Sequence, residues 1–150
     1  MARVIVLGVG NALMRDEGVG ARAAERLRDR VPPGIEVVVT GALGAATLPE
    51  VEGATHLLVL DAVDAGLAPG TVVRLEPDAL LTRGVSRSAH EFGVPDLLLL
   101  LEHEGRAPER VVVVGVQPAA VEPGTDLSLE VEGALPRVVA AALDVLDEWV

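Results

Sequence analysis

Short, unbroken aliphatic runs constrain this chain more than any other feature. Val4-Ile5-Val6-Leu7, His56 to Leu60 and Val111 to Val116 contain almost no polar alternation. Such runs suit strands buried on both faces, the usual state of a parallel sheet covered by helices. Between them lie segments with helical periodicity. From Gly18 to Arg30, for example, Val19, Ala23, Ala24 and Leu27 recur on one side and Arg and Glu on the other.

The order of elements follows. Strand one is Arg3 to Leu7, closed by Gly8, and Val31-Pro32-Pro33-Gly34 stops the helix after it. Ile35 to Thr40 is a second strand, followed by Gly41-Ala42-Leu43-Gly44 and a short helix with Thr47 as cap and Glu50 three residues on. His56 to Leu60 is a third strand, ending at Asp61. Thr71 to Leu75 is a fourth, and the short link before it favours an antiparallel edge over a parallel crossover. A helix around Ser88 to Glu104 contains Pro95, which demands a break or a delayed start. Val111 to Val116 is the fifth strand. Leu127 to Trp149 carries the last helix, with Pro136 setting off a short lead-in turn. The expectation is one three-layer α/β domain over residues 1–150. Its sheet is twisted, mostly parallel and five-stranded, with helices on both faces and one antiparallel strand.

Composition narrows the functional classes. The formal net charge of −11 argues against nucleic acid, which needs clustered positive charge. Cysteine is absent, so disulfides, thiolate metal sites and a cysteine nucleophile are excluded. The N-terminal MARVIVLGVGNALM fits a first strand and turn better than a signal peptide. Leu97 to Leu101 is too short to span a bilayer, so a cytoplasmic protein without membrane partners is expected.

Chemistry concentrates in the loop after strand one, Leu7 to Gly20, because ligands of open α/β sheets bind beyond the carboxyl ends of the strands. Gly8-Val9-Gly10 invites a nucleotide-binding reading. However, the position of the third glycine is Leu13, and the absence of Lys removes a Walker-type loop. Asp16-Glu17 precedes the first helix, where acids complement the helix dipole. Asp61 ends the third strand with Asp64 three residues on, and His90 follows a polar loop with Ser86 and Ser88. Glu17, Asp61 and His90 together would make a site for Zn, Ni, Mn or Fe with positions left open for substrate. A Ser-His-Asp system using Ser86 or Ser88 is the alternative, although no G-x-S-x-G elbow exists. His56 reads as a strand-opening residue that faces solvent or caps a turn, and His103 as a cation at a helix end.

These residues also carry a resemblance. Gly8-Val9-Gly10-Asn11-Ala12-Leu13-Met14-Arg15-Asp16-Glu17-Gly18-Val19-Gly20 is similar to the opening signature of the hydrogenase maturation endopeptidases. Leu60-Asp61-Ala62-Val63-Asp64-Ala65-Gly66, Ser88-Ala89-His90 and Gly115-Val116-Gln117-Pro118, followed by Gly124 and Leu127-Ser128, agree in order and spacing.

The resemblance implies an endopeptidase that removes the C-terminal extension of the large-subunit precursor of a nickel-containing hydrogenase. It implies nickel carried by the substrate as a recognition signal, with other divalent metals able to substitute, and substrate thiolates completing the sphere. The family's metal-contacting positions fall on Glu17, Asp61 and His90, with Asp16 serving the helix end or supporting the contact residue from behind. Peptide hydrolysis then proceeds without a covalent acyl-enzyme, beside a groove lined by backbone amides of Gly41 to Gly44. Two other readings use the same features: a non-catalytic nickel-sensing chaperone of the large subunit, and, more weakly, a nucleotide-binding enzyme.

Overall fold

In a computed structural model of the protein, which describes residues 2–76 and 93–149, the apolar runs become five strands. They are β1 (Val4–Val9), β2 (Glu36–Thr40), β3 (His56–Ala62), β4 (Val72–Leu75) and β5 (Arg110–Val116). The sheet order is β2-β1-β3-β5-β4. β1 pairs in parallel with both β2 and β3, and β3 in parallel with β5. β4 runs antiparallel to β5 at the edge, as the short link from β3 requires.

The helices are α1 (Val19–Leu27), α2 (Leu48–Val51), α3 (Val94–His103) and α4 (Leu129–Trp149). Alternation along the strands sends successive side chains to opposite faces. Val6, Leu58, Leu60, Val112 and Val114 pack against α1 and α4. Ile5, Leu7, Leu57, Val59 and Val113 pack against α2 and α3. Both faces are covered, and after His56 and Arg110 at their first positions β3 and β5 carry only one polar side chain, that of Asp61. Among the described residues no helix is long and apolar enough to cross a membrane.

Several local expectations change. Gly8 does not close β1; the strand runs through it to Val9. A Cβ on Gly8 would lie 2.4 Å from the Ala24 Cβ and 2.7 Å from the Gly20 carbonyl oxygen, so the glycine lets α1 lie directly on the strand. Thr47 stands at the N-cap of α2, as expected, but its side chain makes no capping bond to that helix. It is buried, and its Oγ1 accepts the Gly44 N–H at 3.1 Å.

Pro136 separates no lead-in turn, because α4 continues through it. Val131, Ala134, Leu135, Val138 and Val139 are all buried around that point, and their packing outweighs the backbone bond a proline forfeits. Pro95 instead falls in the first turn of α3, where a missing N–H costs nothing, and the helix start is delayed to Val94. The expected portion of that helix before residue 93 lies outside the described residues.

Candidate active site

The chain leaves β1 toward β2 on one side, while β3 lies on the other, so the topology switches between β1 and β3. Beyond the carboxyl ends of such a strand pair, open α/β sheets form their binding crevice. Gly8 is registered with Leu60, which puts Asp61 one residue beyond, level with the end of β1. Asp61 is therefore inside β3 and not after it. It is buried, and by alternation it faces the α2/α3 side together with Leu57 and Val59. Its lateral partner on β5 is Gly115.

Glu17 reaches the same end of the sheet from the loop after β1. Arg15–Gly18 forms a single turn of 3-10 helix that leads into α1. Gly10 has φ +150°, and a Cβ there would lie 1.9 Å from the Glu17 carbonyl oxygen. The loop thus folds back onto its own glycine. The space in which a phosphate would be cradled over Gly10 is filled by the chain itself.

Leu13 speaks to the nucleotide question differently from the sequence expectation, because it is 65% exposed and obstructs no packing. The glycine that permits close helix–strand contact is Gly20. A Cβ there would meet the Leu60 and Val9 carbonyl oxygens at 2.1 and 2.4 Å.

The two neighbouring acids of the loop divide their roles. Asp16 is fully buried, at 0% exposure. Its Oδ1 accepts the Ser128 N–H at 2.7 Å, and its Oδ2 accepts the Ala119 and Ala120 N–H groups and the Ser128 hydroxyl, each at 2.8 Å. Burial raises its pKa, but the bonds from Ser128, Ala120 and Ala119 outweigh that and hold the carboxyl below its ordinary value.

Asp16 therefore does not serve the N-terminus of α1, as an acid just ahead of that helix suggested. It serves the start of α4, where Ser128 precedes the first helical residue and its hydroxyl accepts the Val131 N–H at 3.4 Å. The half-buried Glu17 makes no side-chain hydrogen bond or ion pair among the described residues, which leaves its carboxylate available.

Asp64 is exposed, and its Oδ1 accepts the Gly66 N–H at 3.3 Å and the Gln117 Nε2 at 3.2 Å. Gln117 is buried, and its Oε1 accepts the Ala65 and Leu67 N–H groups at 2.8 and 3.2 Å. Asp64 is thus engaged in holding its loop. The bracing roles of Gln117 and Ser128 were not apparent from sequence. An amide directly after a buried strand, and a Ser three residues before a buried Val, were the only signals.

His90, Ser86 and Ser88 lie outside the described residues. Among the described residues no three His, Asp or Glu side chains are grouped to hold a metal ion. A three-donor site built by this chain would need a donor from outside them. His56 neither faces solvent nor caps a turn. It is half-buried, meets Trp149 edge-on at 5.2 Å between ring centres, and its Nδ1 shares a 2.8 Å hydrogen bond with the Thr55 hydroxyl. His103 is exposed in the last turn of α3, as expected.

A doubly wound sheet whose switch point gathers acids from the first loop and the third strand defines a class of α/β enzyme, and comparison with known proteins specifies it. A model of the hydrogenase maturation protease family matches residues 21–145. The Hydrogenase 2 maturation protease of Escherichia coli is 38% identical over 149 residues, covering 93% of this chain and 90% of that protein. The hydrogenase expression/formation protein HupD of Rhodobacter capsulatus is 35% identical over 152 residues, covering 98% and 72%. The solved structure of the hydrogenase maturating endopeptidase HybD from E. coli superimposes with a TM-score of 0.86 at 35% identity, covering 97% of this chain and 93% of that one. That of the NiFe hydrogenase maturation protease HybD from Thermococcus kodakarensis gives 0.78 at 29%, covering 95% and 98%. The chain belongs to the hydrogenase maturation protease family, and is thereby a hydrolase of peptide bonds.

Proposed function

We propose that this protein is the endopeptidase that removes the C-terminal extension of a nickel-loaded hydrogenase large-subunit precursor. On this reading it recognises the substrate-borne nickel through Glu17, Asp61 and His90. The observation that carries the reading is the meeting of two acids at the switch point. Asp16 is consumed by hydrogen bonds to the start of α4, while the Glu17 side chain makes none among the described residues and lies at the same end of the sheet as the buried Asp61.

Two carboxylates and an imidazole suit a divalent transition ion and leave positions for the substrate's own ligands. A metal in such a site supplies Lewis-acid polarisation of the scissile carbonyl, or a more acidic water. The chain contributes Glu17 on a rigid turn and Asp61 on a strand clamped by neighbours on both sides, so both donors are oriented before substrate arrives. With no cysteine in the chain and no nucleophile elbow, direct hydrolysis by water is the favoured route. Gly41 and Gly44, with open space where side chains would be, leave room for an extended peptide beside β2.

The test is to mix purified protein with nickel-loaded precursor and follow the C-terminal extension by mass spectrometry. Cleavage is expected with nickel-loaded and not with nickel-free precursor, and His90→Ala is expected to lower the rate at least about 100-fold. Unimpaired cleavage by His90→Ala would remove that residue from the site. Intact precursor that stays bound indefinitely would favour a chaperone over a protease.

A further inference from the structure

We propose that the segment after β5, residues 117–128, sets the spacing between Glu17 and Asp61, with the buried Asp16 as the positioning residue that clips the Glu17 loop to it. This inference rests on Glu17 and Asp61 being the nickel contacts.

The segment is joined to both acid-bearing stretches. Toward the Glu17 loop, the Asp16 carboxylate receives the Ala119, Ala120 and Ser128 N–H groups and the Ser128 hydroxyl. The Asp16 N–H returns a bond to the Ala120 carbonyl at 3.0 Å. On the N-terminal side of Asp16, the Gly124 N–H donates to the Leu13 carbonyl at 2.9 Å, and the Arg15 N–H to the Gly124 carbonyl at 3.1 Å. The Arg15 side chain donates to the Asp126 carbonyl at 3.0 Å and pairs with Glu122 at 2.9 Å. These contacts hold Arg15 at φ +49°, a left-handed conformation that a non-glycine residue keeps only when its surroundings impose it.

Toward β3, Gln117 bonds Asp64, Ala65 and Leu67, the residues that follow Asp61. The Glu17 side chain makes no hydrogen bond of its own among the described residues, so its direction is inherited from the backbone at Asp16. A small displacement of a metal-contacting group weakens the contact steeply, and outer supports of this kind tune metal affinity by about 10–100-fold. Asp16 therefore acts on nickel recognition through Glu17 without touching the metal.

The experiment compares the affinity of each variant for nickel-loaded and for nickel-free precursor, by titration on immobilised precursor. The preference for the loaded form is the readout, because general loosening of the fold would weaken both affinities together. Glu17→Ala is expected to abolish the preference. Ser128→Ala, which removes one bond to Asp16 and is the gentler change, is expected to reduce the preference about 3–10-fold with nickel-free affinity unchanged. Ser128→Thr, which keeps the hydroxyl, should restore it. Asp16→Asn, examined where its amide spectrum shows a folded protein, should reduce it further. The inference is overturned if Glu17→Ala abolishes the preference while Ser128→Ala and folded Asp16→Asn both keep it. A Glu17→Ala protein that keeps the preference overturns the reading of Glu17 itself, and this inference with it.

Discussion

At Asp16 a carboxylate is taken wholly out of water and satisfied by four donors from residues more than a hundred positions away. Bonds of this kind favour the charged form, so the folded protein releases the Asp16 proton at a lower pH than the unfolded chain does. Between those two values the unfolded state binds more protons, and stability rises with pH. The contribution is complete above the ordinary aspartate range and is lost as pH falls toward the lowered value. Asp16→Asn places an amide N–H against a backbone N–H or hydroxyl donor, and is expected to cost about 2–4 kcal/mol near neutral pH. Thermal melts of both proteins from about pH 7 to about pH 3 should show that difference narrowing on acidification. A gap independent of pH would mean that shape alone, and not the charge, is what the site needs.

The acid pair also shows how far a residue's role is legible in sequence. That Asp16-Glu17 lies at a functional loop follows from the strand before it and the helix after it. Which of the two is structural does not, because the donors that claim Asp16 come from the far end of the chain.

Among the elements, α1 illustrates what periodicity conveys. Val19, Ala23, Ala24 and Leu27, expected to face inward, are buried. The small size of Ala24 has a reason visible only in three dimensions: α1 crosses the β1/β3 junction at backbone contact distance, with Ala24 over Gly8. A Cβ at Gly20 would lie 2.1 Å from the Leu60 carbonyl and 2.4 Å from that of Val9, neither of which is a flexible side chain that can swing aside. Gly20→Ala should therefore push the helix off the sheet, costing about 3 kcal/mol or more despite the better helix propensity of alanine. Urea denaturation followed by circular dichroism measures this directly, and an unchanged midpoint would show that α1 does not sit so close. The interruption expected at Pro136 failed for the same reason in reverse. The burial of α4 on both sides of the proline holds a helix that local propensity alone would break.

Across the whole molecule, the sheet order β2-β1-β3-β5-β4 brings the ends of β1, β3 and β5 together, and Gln117 ties the last two. Its side chain links the end of β5 to the stretch after β3 through the Ala65 and Leu67 N–H groups and Asp64. Gln117→Leu fills similar space but leaves two backbone donors without their acceptor, a loss of about 1–3 kcal/mol. Hydrogen exchange is expected to accelerate at Ala65 and Leu67 before it does within β3. Uniform acceleration across the sheet would instead indicate a purely global effect.

By itself the sequence determined the class of fold. Short unbroken aliphatic runs suit strands covered on both faces, and the short link into β4 disfavoured a parallel crossover. It also marked Glu17 and Asp61 as acids near the carboxyl ends of β1 and β3, where the loops of an open sheet bind ligands. Only the tertiary structure decided which acid of the first loop is structural. Strand order sets which loops become neighbours, and hydrogen bonds between residues a hundred positions apart then commit Asp16 to the start of α4, while the Glu17 side chain makes none among the described residues. Those contacts depend on chain folding in three dimensions, and no local pattern around Asp16 or Glu17 encodes them.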